Sequence, residues 1–544
     1  DIAQTIKERY VTPEGYSFPL MDFQETLFYH SKSFIRNEPT GLSCYIICRT
    51  QLKGFFDPAC WDKTLNHIIN CHPLLHSILS EESDKPEMIT LPEYPTFKSS
   101  YEDITSMNKE QQETFFLQKD EKDHDHRFDL KEYPLFYCNI YKTGEDEHEL
   151  IIHIDHQIID GFSFFQFLQE LTSTYDQFIA GKEITVEQEK GLTFSDYVFV
   201  ERFRRQTKRY QNAMDFALKV FKDLPEKISI PTKCQPSLIN KVHFNTLHTE
   251  LDSLLMNKVL EISSHTSGIC LNSLLMACYF KLMNLWSGQN DLIINMPVFN
   301  REQHLPNAKN IIGSFLDIFP VRIQTSPQEP IVSIARKIEQ FVRTMLEYPI
   351  SSIELSRKIA EQEGLKQSSL SAIIFSNSIN MLPKGISHSS RYLTIGAPKV
   401  QTGAPGTYID LVMYTWENKW CFDWNYVREL FDAEYIQLLS EQFTSMLNQL
   451  VDDTNTKGYE ERSCSNILPL FYIKLLEQTN KTEHAYPLKT IYEQISNTVD
   501  LYPNREAISY QGVSLTYTEF WKKANQMAHF LRSLGVVRNS KVAL

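Results

Sequence analysis

The segment Ile152-His153-Ile154-Asp155-His156-Gln157-Ile158-Ile159-Asp160-Gly161-Phe162-Ser163 sets the imidazole of His156 between the carboxylates of Asp155 and Asp160. A neutral imidazole can take a proton from an attacking amine or hydroxyl, and a nearby carboxylate can orient the ring or stabilise its charged form. The same residue types also suit a surface loop in which one Asp caps the following helix. The triplet alone leaves both readings open.

The flanking residues say which elements must hold this set. Upstream, Leu150, Ile152 and Ile154 alternate with Ile151, His153 and Asp155, the period-two pattern of a half-buried strand. Downstream, Phe162, Phe165, Leu168, Leu171, Tyr175 and Phe178 fall at helical spacing, and Gly181 stops the run. Asp155, His156, Asp160 and Gly161 are therefore expected on a strand-to-helix loop, where a rigid scaffold presents polar groups to a substrate. A hairpin of Leu135–Tyr141 and His148–Asp155, turned through Thr143-Gly144-Glu145-Asp146, should deliver that strand.

Composition narrows the function classes. With 544 residues there is room for three or four domain-sized units, and 42% hydrophobic with 22% charged residues is ordinary for a globular protein. A formal net charge of -14 and the lack of a basic stripe argue against a nucleic-acid surface. The longest apolar stretch, Leu271 to Trp286, is broken by Lys281 and is too short to span a bilayer, so no membrane partner is expected. Asp1-Ile2-Ala3-Gln4 leads into a polar segment unlike a signal peptide. Ten cysteines without a CxxC pair or a sequence cluster with His read as reduced thiols, which implies a cytoplasmic protein with no metal site. No internal repeat is visible.

The loop resembles the active-site motif of nonribosomal peptide synthetase condensation domains: two His, three variable residues, Asp, Gly. His156, Asp160 and Gly161 match it, while Asp155 stands where the family has its first His. Weaker motifs follow in the family's order. Phe18-Pro19-Leu20 and the Gln24 helix resemble the first. Cys71-His72-Pro73-Leu74-Leu75-His76 resembles an Arg-His-x-x-Leu-Arg motif, with Cys71 and His76 replacing both arginines in what reads as a structural position. Thr193–Val198, Asn295–Arg301, Ile311–Arg322, Asp410-Leu411 and Glu429–Asp432 complete the series, so the resemblance covers roughly residues 18–450. Tyr502–Ile508 and Leu515–Phe520 look like the opening of an adenylation domain, with no Gly-rich phosphate loop among the residues that follow, so this segment is not expected to adenylate.

The resemblance implies an α/β fold of two chloramphenicol-acetyltransferase-like lobes in a V-shaped pseudo-dimer, residues 1–181 and 182–450. A linker over 451–485 and an α/β adenylation-domain fragment over 486–544 would follow. It implies acyl transfer between thioesters carried on phosphopantetheine, with upstream and downstream carrier domains and an adenylation domain in cis as partners and no cofactor bound by the fragment itself. His156 would face the attacking amine, with Asp155 beside it. Gly161 would bring a backbone donor to the thioester, or be a loop glycine needing positive φ. Asp160 would form a buried pair with Arg301. Heterocyclization domains are a rival, because Asp155, Asp160 and Ser163 also fit their Asp, four variable, Asp, two variable, Ser spacing. In that case Ser376 and Asp410 would be the cyclodehydration pair, with Thr402 in the segment ahead of Asp410. Against it, His156 and Gly161 are retained, Ile312-Gly313-Ser314-Phe315 lacks the Gly-Asp-Phe-Thr signature, and Gln401 to Asp410 is two residues longer than that family's spacing. A third reading is an inactive recruitment domain of the same fold.

Overall fold

The computed structural model describes residues 11–12, 15–33, 45–82, 84–184, 192–239, 242–266, 268–299, 301, 308–347, 350–364, 369–379, 391–402, 406–416, 419–452, 458–464, 476–483 and 488–543. Asn300, Gly191, Leu475 and much of the expected linker lie outside the described residues. The chain divides into two compact units, residues 1–469 and 470–544.

Two large sheets organise the first unit. One runs β13 (Leu393–Ile395), β3 (Tyr45–Gly54), β8 (Glu147–Asp155), β7 (Phe136–Lys142), β6 (Ser100–Asp103), with β14 (Lys399–Thr402) also paired to β3. The β7–β8 hairpin turns through Thr143, whose N–H and hydroxyl both donate to the Glu147 carbonyl. β8 differs from the expected half-buried strand in being covered on both faces. Ile152 and Ile154 join the lobe's main core, whereas Ile151 packs with Tyr45, Ile47, Ile104, Phe116 and Tyr141. The Lys109–Asp125 helix supplies Phe116 and His124 to that second face, and His124 meets the Tyr45 ring. Its polar composition gave no sequence signal of this role.

The second sheet runs β11 (Leu316–Gln324), β10 (Asp291–Phe299), β12 (Ile373–Asn377), β15 (Ile409–Trp416), β16 (Lys419–Val427), β9 (Phe244–Leu251). Phe422, Trp424 and Tyr426 alternate with Cys421, Asp423 and Asn425 along β16. The aromatic side packs under helices Ser253–His265, Leu271–Ser287, Ile331–Leu346 and Ala433–Val451. The other side meets the first lobe, because Tyr414, Trp416 and Cys421 belong to the first lobe's core cluster. A smaller sheet orders β1 (Val11–Thr12), β2 (Gly15–Pro19), β5 (Glu87–Thr90), β4 (Ser77–Ser80).

Two features depart from the simple division at residue 181. β13 and β14 come from the second half of the chain yet pair with β3, Thr402 lying opposite Ile46 and Leu393 opposite Gly54. Residues 458–464, expected in a linker, pack on the second lobe instead: Cys464 is buried in its core, and Ile331 N–H donates to the Arg462 carbonyl. The second unit contains helices Ile491–Leu501 and Tyr517–Ser533 around the hairpin of β17 (Glu506–Tyr510) and β18 (Val513–Thr516), with the Tyr492 and Trp521 rings 4.7 Å apart. Among the described residues no helix is long and apolar enough to cross a membrane.

Candidate functional site

β8 ends at Asp155, opposite Tyr45 of β3, and the chain turns at once. The Asp155 carboxylate accepts the Gln157 N–H at 2.9 Å, and its carbonyl accepts the Ile158 N–H at 3.2 Å. The Asp22–Ser33 helix clamps this turn. Gln24 Nε2 donates to the Gln157 carbonyl at 2.7 Å, and Gln157 Nε2 donates back to the Gln24 carbonyl at 3.0 Å. Ser314 Oγ holds the loop from a third side by donating to the His156 carbonyl at 3.0 Å. Gln24 is a positioning residue that spacing in the loop could not reveal; only the opening motif pointed to it.

The His156 ring lies edge-on to Phe23 at 5.4 Å, and its Nδ1 is buried without a hydrogen-bond partner among the described residues. Burial lowers its pKa, an effect that the Asp160 carboxylate and the carbonyls of His156 and Ile159 only partly offset. A neutral imidazole at neutral pH is the form that can accept a proton. Asp155 shifts the other way, because burial raises it to about 7 while the Gln157 N–H and Arg127 pull it down.

That shift has a signed consequence. A carboxyl that ionises near 3.9 when unfolded but near 7 when folded binds more protons in the native state between those values, so stability falls as pH rises through that window. Asp155→Asn keeps an acceptor for Gln157 and removes the titration. In denaturant unfolding across pH, the variant should gain on the wild type from about pH 4 to 7 and then hold a constant lead. A difference independent of pH would remove the assignment.

Asp160 caps the Gly161–Ile179 helix, which ends before Gly181 at φ 74. Its Oδ1 accepts the Ser163 N–H at 2.7 Å and Arg301 Nη2 at 2.9 Å, and its Oδ2 accepts the Phe315 N–H at 2.9 Å. Both partners of the ion pair are buried, Asp160 at 0% and Arg301 at 5% exposure. Arg301 Nη1 donates to the Ile311 carbonyl at 2.7 Å, and Nη2 also donates to Ser163 Oγ. The guanidinium lies 4.5 Å from the Phe162 ring centre and 4.3 Å from that of Phe315. Gly313 pairs with Ser163 in both directions, which ties the 311–315 segment to the helix start.

Gly161 opens that helix with a φ outside the left-handed region, so conformational freedom is not its reason here. A Cβ at Gly161 would meet no atom within 4 Å, so open space lies before it. The first amides of a helix have no intrahelical acceptor and carry the positive end of its dipole. They suit a developing oxyanion.

The structure also brings Ser376 and Asp410 together across β12 and β15, with Ser376 Oγ donating to Asp410 Oδ1 at 2.7 Å. Burial raises Asp410 to about 6, and the Ser376 hydroxyl opposes the shift. Thr402 lies on β14 in the other sheet, and no hydrogen bond joins it to either among the described residues. His76 is buried, stacks on Tyr94 at 4.4 Å and pairs with the Leu91 carbonyl, a structural role, while Cys71 is exposed.

Comparison with known proteins fits this geometry. A family described as Condensation domain matches residues 16–466, and one described as AMP-binding enzyme matches residues 495–544. Bacitracin synthase 1 of Bacillus licheniformis is 24% identical over 487 residues, covering 88% of this chain and 9% of that protein. Gramicidin S synthase 2 of Brevibacillus brevis is 21% identical over 505 residues, covering 91% and 11%. The chain thus spans about a tenth of the length of these curated relatives. Among solved structures, the nonribosomal peptide synthetase FmoA3 bound to alpha-methyl-L-serine-AMP aligns with TM-score 0.78 at 17% identity, covering 96% of this chain and 55% of that one. The EpoB cyclization-docking bidomain from Sorangium cellulosum aligns with TM-score 0.72 at 18% identity, covering 84% and 91%. At such identities the likeness is one of fold, two chloramphenicol-acetyltransferase-like lobes. With most of its length matched, the chain belongs to the condensation-domain family of nonribosomal peptide synthetases, with a short AMP-binding segment at residues 495–544.

Proposed function

We propose that this protein is a cytoplasmic acyltransferase that joins an upstream carrier-bound acyl thioester to the amine of a downstream carrier-bound aminoacyl thioester. The C–N bond forms, the C–S bond breaks, and the upstream phosphopantetheine leaves as a thiol. The observation that carries this reading is His156: a buried imidazole whose pKa burial lowers, with an Nδ1 unpartnered among the described residues, on a loop pinned by Gln24, Ser314 and Asp160. Its role would be to hold or remove the proton of the attacking amine. The amides opening the Gly161 helix would face the oxyanion, and Asp155 would shape the loop beside them. A thioester is already activated, so orientation on two carrier arms supplies much of the acceleration. The adenylation domain in cis would load the downstream carrier.

A second reading draws on one specific contact. The Ser376–Asp410 hydrogen bond places a hydroxyl against a carboxyl of raised pKa, a pair able to pass a proton during loss of water from a Cys, Ser or Thr adduct. Asp155 in place of a first His fits that reading as well. Intact mass spectrometry of the downstream carrier, with both natural carriers loaded, separates the possibilities. Amide formation should give the summed acyl mass. Heterocyclization should give a product one water lighter, and Ser376→Ala or Asp410→Ala should then halt at the uncyclised amide. No product from any cognate pair would leave the recruitment reading standing and overturn both.

A further inference from the structure

The register of the second sheet brings together a group of side chains away from the His156 loop. Asn425, Asp423 and Cys421 of β16 lie opposite Asp410, Val412 and Tyr414 of β15, and opposite Thr246, His248 and Glu250 of β9. Directly opposed residues share a face, so these groups stand on one side of the sheet, the side that carries the Ser376–Asp410 pair. At the β9 edge, one oxygen of Glu250, one ring nitrogen of His248 and Cys421 Sγ lie within 4.8 Å of one another.

We propose that His248, Glu250 and Cys421 form a binding site for one zinc-class divalent cation, with Asp423 orienting the histidine. A borderline-soft ion is the match for a mixed imidazole, thiolate and carboxylate set, whereas calcium and magnesium prefer oxygen alone. Tetrahedral bonds of about 2.0–2.3 Å need donors about 3.5 Å apart, so closure asks for a movement of about an ångström. His248 and Glu250, at 39% and 45% exposure, have room to make it, while Cys421 is buried at 1%.

The surroundings argue for a built arrangement. Asp423 is buried, and its Oδ1 lies 2.6 Å from His248 Nδ1. This bond occupies Nδ1 and turns Nε2 toward Glu250, whose Oε1 is 3.8 Å away. Such a carboxylate–histidine contact fixes the tautomer of metal-bound imidazoles. Lys419 Nζ holds the other Glu250 oxygen at 2.6 Å, which leaves Oε1 for an ion. Three protein ligands leave one position for water. The ion would fasten the edge strand β9 to β16.

The test uses the full chain, stripped of metal and kept reduced, titrated with cobalt(II) and back-titrated with zinc(II). One equivalent of cobalt should give a thiolate-to-metal charge-transfer band with the intense visible bands of four-coordination, and zinc should abolish both. Cys421→Ser should lose the charge-transfer band. His248→Ala, at an exposed position with little folding risk, should lose it too. Asp423→Asn should keep the band with roughly 10–100-fold weaker affinity. Absence of the band in the wild type, or its survival in either Cys421→Ser or His248→Ala, would overturn the proposal.

Discussion

Asp160→Ala should destabilise the first unit by roughly 3–5 kcal/mol, and Arg301→Ala by a similar amount. Each replacement strands a charge that water cannot reach, with Asp160 at 0% and Arg301 at 5% exposure. Losing Asp160 also removes the acceptor of the Ser163 and Phe315 amides. Losing Arg301 leaves the Ile311 carbonyl without that donor and the Phe162 and Phe315 rings without the cation packed on them. Double replacement should cost less than the two single losses added, because the second removes the charge that the first stranded. Five of the six tryptophans, Trp61, Trp286, Trp416, Trp420 and Trp424, lie in residues 1–469, so with Trp521 of the second unit replaced by Phe, tryptophan fluorescence in a denaturant titration follows the first unit. A loss below about 1 kcal/mol in either single variant would show that the pair is not the keystone of the loop.

His156→Ala should slow acyl transfer by about 10²–10⁴-fold, the usual contribution of a positioned acid–base group. Its unfolding midpoint should move far less than that of Asp160→Ala, because His156 makes no ion pair among the described residues and the loop keeps its Gln24, Ser314 and Asp160 anchors. The pH profile adds an independent check. Burial holds His156 below the usual imidazole range, so wild-type rate should persist into mild acid and fall only when the ring takes up a proton. The variant should lack that acid limb. Undiminished transfer, or an unchanged acid limb, would refute the base assignment.

The hairpin, the loop and the helix that carry the site were legible because their periods are local: alternation through Ile152 and Ile154, helical spacing from Phe162 to Phe178, and a stop at Gly181. The expectation that Asp160 would meet Arg301 came from family resemblance rather than from spacing, since 141 positions separate them. Three features were not legible. The second buried face of β8 depends on a helix whose composition is almost wholly polar. The Gln24–Gln157 clamp joins two amide side chains that look like surface residues in isolation. His248, Glu250 and Cys421 meet only through strand pairing, so a search for closely spaced Cys and His passed over them.

The loan of β13 and β14 to the first lobe has a consequence for how the chain is made. β3 emerges early from the ribosome, yet the strands that cover its outer edge lie some 340 residues further on. At about 5–20 residues per second, that edge waits for tens of seconds with its backbone groups unpaired, a ready template for another chain. The first lobe therefore cannot be finished from its own sequence. A piece cut near residue 181 would lose the Arg301 and Ser314 anchors of its loop as well as the cover on β3, and should associate through that open edge.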